Sequence, residues 1–110
     1  MALFIGLIRR RELKQQKFSF QGRMLDITKA KSLAAKSTEE LTQVGTQYEA
    51  DSLILKKLEE RKYKLHLLEQ KLDLEKEELE TRIAAIDTEL KSVEEMINQS
   101  IEESFSYKAA

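Results

Sequence analysis

Seven apolar residues stand at intervals of seven through the first half of the chain: Leu13, Phe20, Ile27, Ala34, Leu41, Tyr48 and Leu55. Seven residues are nearly two turns of α-helix, so these side chains share one face. Met24, Ala30, Val44 and Leu58 fall between them and widen the stripe. Nothing interrupts it: proline is absent, and glycine occurs only at Gly6, Gly22 and Gly45. A fold rich in tight turns cannot easily be built without the residues that turns use. Charged residues make up 35% of the chain and aromatics only 6%. That balance suits long helices burying a narrow seam better than a globule with a thick core.

The second half carries a seam of its own. Leu65, Leu68, Leu72, Leu79, Ile83, Ile86, Leu90, Val93, Ile97, Ile101 and Phe105 follow steps of three and four, with a gap at Lys76. The steps after Val93 are all four residues, and Leu68 to Leu79 spans eleven. Such departures from strict heptads predict a locally unwound supercoil. Lys76 reads either as a polar element fixing register or as an aliphatic stem lying over apolar surface with its ammonium in water. Acid-first pairs four apart, Glu60–Lys64, Glu78–Arg82 and Asp87–Lys91, add about 0.2–0.5 kcal/mol of helix support each.

A reversal is expected at 36–47. Ser37-Thr38-Glu39-Glu40 has the capping-box form, and so does Thr46-Gln47-Tyr48-Glu49 directly after Gly45. Gly can end one helix and Thr begin the next; the rival reading is one unbroken helix. The expected fold is all-α: a long antiparallel two-helix hairpin, coiled-coil-like, with unequal arms, assembling with other copies. Residues 1–11 form an apolar and basic N-terminal tip and 12–110 a single helical domain. Helices over 3–43 and 47–106 would be about 60 and 90 Å long. The first arm then lies along Lys56 to Leu90. Everything past Leu90 projects, leaving Ile97, Ile101, Phe105 and Tyr107 facing water. A seam that a chain cannot cover alone is usually covered by a partner.

Net charge is −1, but it is unevenly spread. Residues 1–36 hold nine Lys/Arg against two acids, giving +7; residues 37–110 hold ten against eighteen, giving −8. Opposite fields of this kind draw the two regions together, within a chain or between chains.

The chain opens on Met1-Ala2-Leu3-Phe4-Ile5-Gly6-Leu7-Ile8 and runs into Arg9-Arg10-Arg11. A cleavable export signal has its charge before the apolar stretch, not after it. Eight residues span about 12 Å as helix, short of the roughly 20 residues that cross a bilayer. The expectation is therefore a cytoplasmic protein or one exported by a signal-independent route. The tip could lie on an anionic membrane surface, although Ala2 in place of glycine excludes N-myristoylation. An apolar surface all around the helix favours burial by protein instead. In that arrangement Leu3, Phe4, Ile5, Leu7 and Ile8 gather with those of neighbours, and Arg9, Arg10 and Arg11 meet Glu94, Glu95, Glu102 and Glu103 of adjacent copies. Nucleic acid is a weaker use of Arg9–Arg11, Lys14, Lys17 and Arg23, because the acidic arm offers the same charge a nearer partner.

No chemistry of catalysis is legible. Cysteine is absent and His66 is the single histidine, so neither a zinc set nor a histidine base with partners can be assembled. No cofactor or metal is expected, and no enzyme activity. The sequence points to a structural, self-assembling subunit, plausible for a filament or tube. Its contacts are expected at the N-terminal tip and at Leu13, Phe20, Ile27, Leu41, Leu79, Ile86, Leu90, Val93, Ile97, Ile101 and Phe105. In architecture alone it resembles secreted filament subunits whose helical termini pack together, such as type III needle and flagellin-like proteins; no motif carries residues across. The alternatives are a coiled-coil adaptor, stalk or chaperone gripping another protein, with Phe105 and Tyr107 as a candidate tip, and a peripheral membrane protein anchored by residues 1–11.

Overall fold

A computed structural model describes residues 2–109, with side chains through Ser106. Met1 of the predicted tip and the Tyr107 side chain lie outside the described residues. The fold is all-α, an antiparallel two-helix hairpin with unequal arms. Helix α1 spans Ala2–Gly45 and helix α2 spans Leu53–Ala109.

The reversal occupies residues 46–52, later than the expected 36–47. The capping pattern at Ser37 lies inside α1. There Thr38 turns its hydroxyl back to the Ala34 carbonyl (3.0 Å) and Thr42 to that of Thr38 (2.9 Å), which is how hydroxyl residues sit within a helix. Nor does Gly45 make a left-handed cap, since no glycine has positive φ. The last turn of α1 closes instead by tight i→i+3 bonds: the amides of Thr46, Gln47 and Tyr48 donate to the carbonyls of Gln43, Val44 and Gly45. These satisfy carbonyls that a helix end leaves over. The cap that starts α2 is Ser52. Its Oγ accepts the Leu55 amide (3.1 Å) and its carbonyl accepts that of Lys56 (3.2 Å).

Tertiary contacts divide the chain into two compact units. The terminal unit joins residues up to Arg23 with those from Leu79 onward; the loop unit is Met24–Glu78. Within the terminal unit, the buried or half-buried positions of α1 are Gly6, Leu13 and Phe20 on one line and Leu3, Arg10 and Lys17 on another, with Arg9 beside them. On α2 they are Leu79, Ile86, Val93 and Ser100, with Ile83, Leu90 and Ile97. Each line has strict seven-residue spacing, so the expected slip of register does not occur; Leu68, Ile101 and Phe105, which suggested it, lie off the seam and are exposed. Leu13, Ile86, Val93 and Ile97 form one buried cluster, with Leu3, Phe20 and Leu90 packed against it.

The helices of this unit approach closely at Gly6. A Cβ there would stand 2.9 Å from Cγ1 of Ile97, so the missing side chain is what admits the isoleucine. This contact corrects the expected overhang. Because the reversal comes later, α2 is slid along α1, and the first turns of α1 meet Val93 and Ile97 rather than residues short of Leu90. Ile97 is buried, not facing water; Ile101 and Phe105 remain outside.

The loop unit repeats the pattern with different side chains. Its lines are Ile27, Ala34 and Leu41 with Met24, Lys31, Thr38 and Gly45 on α1. On α2 they are Leu58, Leu65 and Leu72 with Leu55, Lys62, Glu69 and Lys76. Lys76 is therefore no gap: its half-buried stem occupies a seam position. Gly45 again marks a close approach, with its absent Cβ 3.3 Å from Cδ1 of Leu55.

Candidate assembly surface

The seam uses most of the residues that the sequence suggests for contact between copies. Leu13, Ile27, Leu79, Ile86, Val93 and Ile97 are buried within the single chain, and Leu3, Phe20, Leu41 and Leu90 are half-buried. These residues close the seam within one chain. Phe4, Ile5, Leu7, Ile8, Ile101 and Phe105 stay exposed.

The exposed set on α1 has an order of its own. Phe4, Arg11 and Phe18 recur every seven residues and lie two positions before Gly6, Leu13 and Phe20. Two positions are about 200° around a helix, so this line lies away from Leu13 and about 100° from the second seam line of Leu3, Arg10 and Lys17. Phe4 is 71% exposed and Phe18 79%. Leu7, Arg10, Arg11, Lys14, Gln15 and Phe18 together line a shallow depression on this side of α1. Phe18 was not among the expected contact residues, yet its seven-residue spacing from Phe4 and Arg11 was there to be read.

Basic and acidic residues in the terminal unit fall into two sets. The first set pairs across the seam. Arg9 donates from Nε and Nη2 to Glu89 (2.9 and 2.6 Å) and from Nη1 to Glu12 (3.4 Å). The hydrogen bond to Glu89, then its charge, then Glu12 hold the guanidinium above its ordinary pKa, so it stays a cation throughout. Lys17 reaches Asp87 at 2.6 Å, taking the carboxylate that the sequence offered to Lys91. Arg82 lies over the Phe20 ring, 5.8 Å from its centroid, within cation–π range. Arg9 thus meets Glu89 of its own chain, whereas Glu94, Glu95, Glu102 and Glu103 were its expected partners.

The second set faces outward. Among the described residues no ion pair joins Arg10, Arg11 or Lys14 of α1 to a carboxylate, and none joins Glu94, Glu95, Glu102 or Glu103 of α2 to a cation. Glu95 and Glu102 lie two positions after the seam residues Val93 and Ser100, again about 200° from the seam. Arg11 and Lys14 are thus exposed on α1, Arg10 is half-buried at a seam position, and Glu94, Glu95, Glu102 and Glu103 are exposed on α2.

In the loop unit, Lys31 pairs with Asp73 across the seam. An open groove beside that seam has Leu41, Val44, Leu65 and Leu68 as its floor and Ser37, Glu40, Arg61 and Lys64 as its rim. His66 is exposed, with the Gln70 side-chain nitrogen 3.3 Å from its Nε2. Among the described residues no group of three or more His, Cys, Asp or Glu could hold a metal ion, and no helix is long and apolar enough to cross a membrane. No protein-family model matches the sequence, and neither a curated protein nor a solved structure matches it.

Proposed function

We propose that the protein is a structural, self-assembling helical subunit, of a kind that builds filaments or tubes. The observation that carries this reading is the apolar surface left over once the seam is closed: Phe4, Ile5, Ile8 and Phe18 on α1 and Phe105 on α2 are each at least half exposed. These five belong to the terminal unit, and Leu25, Leu33, Leu53, Ile54, Tyr63 and Leu74 of the loop unit are likewise at least half exposed. An exposed apolar patch of that kind is costly in water and marks a surface that something covers. Other copies of the chain are the simplest cover, because each brings both the apolar residues and the two signs of charge. Electron microscopy and light scattering of the purified chain test it. Extended or ring-shaped particles that grow with concentration are expected, and a particle no larger than one hairpin at high concentration would overturn the reading.

A second reading rests on the groove of the loop unit. Its leucine and valine floor with an Arg61–Lys64–Glu40 rim suits the apolar edge of a helix from a different protein, as an adaptor or chaperone would use it. Leu68→Asp and Val44→Asp would abolish capture by such a partner and leave self-association unchanged.

A further inference from the structure

We infer that the terminal unit joins to copies of itself through unlike faces: the outward side of α1 on one molecule seats against the outward side of α2 on the next. This rests on the self-assembly reading above and adds which surfaces meet. Arg11 lies between Phe4 and Phe18 on an exposed line of α1, about 160° from the Leu13 line and about 100° from the Arg10 line. Glu95 and Glu102 lie on a line about 200° from the seam of α2. Among the described residues neither Arg11 nor Lys14 is joined to a carboxylate of its own chain, nor Glu95 or Glu102 to a cation, while a second molecule presents each with its opposite.

Shape agrees with charge. Ala84, Ala85 and Thr88 flank the acidic line and are small and exposed, leaving room for a ring such as that of Phe18. Thr88 also returns its hydroxyl to the Ala84 carbonyl (3.1 Å), so it brings no unpaired donor to the contact. A contact between unlike faces leaves each joined pair with one basic–aromatic face and one acidic face still open. Such a contact propagates: it closes into a ring if the rotation allows and otherwise runs on as an open fibre. A twofold dimer, which consumes identical patches, would stop at two.

The test is a charge exchange in the full chain, read by sedimentation velocity. One variant carries Arg11→Glu and Lys14→Glu, the other Glu95→Lys and Glu102→Lys. Each alone is expected to associate at least about tenfold more weakly than the native chain, since like charges then face one another. An equimolar mixture, or one chain carrying all four changes, is expected to recover the large species. All four sites lie outside the seam, so circular dichroism and melting should be unchanged. If a reversal does perturb folding, Arg11→Gln and Glu95→Gln should weaken association in the same direction by less. A native chain that stays single at every concentration would sink the self-assembly reading itself. Large species of the native chain and of both variants alike would leave that reading standing and overturn the assignment of faces. An Arg11→Glu/Lys14→Glu chain that assembles normally but no longer co-sediments with anionic phospholipid vesicles would make the α1 face a lipid surface, and would equally overturn the inference.

Discussion

The two units are built on the same seven-residue spacing and held together differently. In the terminal unit the second line of α2 is Ile83, Leu90 and Ile97, and a contiguous buried cluster results. In the loop unit the corresponding line is Leu55, Lys62, Glu69 and Lys76, opposite Lys31 and Thr38 of α1. Its buried apolar residues are Ile27, Ala34 and Leu58. One unit is thus stabilised by apolar burial, the other by fewer apolar contacts with the stems of charged side chains laid over them. The difference teaches that heptad spacing sets which positions meet, while the residues placed there set how strongly.

The comparison can be broken most forcefully at the cluster. Leu13→Ala removes a side chain 1% exposed and should cost about 2–5 kcal/mol in chemical denaturation. Leu65→Ala, half-buried in the loop unit, should cost less than half as much; equal losses would erase the distinction. Next comes Gly6. Gly6→Leu forces a side chain into the space of Ile97 and should destabilise by about 1–3 kcal/mol. Gly22 has nothing within 4 Å of an added Cβ, so Gly22→Ala should instead raise stability by up to about 1 kcal/mol, the helix-propensity difference alone. Lys76→Leu, which gives the loop unit the kind of residue its counterpart already has, should stabilise by about 1 kcal/mol through added apolar burial. Smallest of all is the Lys31–Asp73 pair. A double-mutant cycle to alanine should return a coupling below about 1 kcal/mol, shrinking with added salt.

Much of the hairpin was legible in the sequence, and the misreadings have physical causes. The line Leu13, Phe20, Ile27, Ala34, Leu41 is the α1 seam as read, and it stops there because Tyr48 falls in the loop and Leu55 on the other helix. Of the second lines, Met24, Ile83, Leu90 and Ile97 are legible in the sequence, and so is the Lys76 stem as one of two readings; Arg10, Lys17, Lys31 and Lys62 are not, because they count as polar in any hydropathy pattern. Their carbon stems nonetheless pack as apolar surface. The turn was misplaced because the hydroxyl residues Ser37 and Thr46 fit the capping pattern, whereas Ser52, the true cap, has Leu55 where that pattern asks for Glu. One misplaced turn then shifted the cross-helix partners and made the expected overhang too long: Ile97 is buried, while Ile101 and Phe105 are exposed. Of the assembly surface, the greasy tip and the opposed charges were readable. That Arg9 belongs to Glu89 and Arg11 to the outside depends on which face each presents, and that follows only once the seam is known.

On the proposed function, one hairpin leaves apolar surface which only association covers. The most direct measurement is the thermal midpoint of the native chain over a hundredfold range of protein concentration. Association that stabilises the folded chain by mass action predicts a midpoint that climbs steadily with concentration. A midpoint that stays fixed across the range, with a single cooperative transition, would contradict the claim.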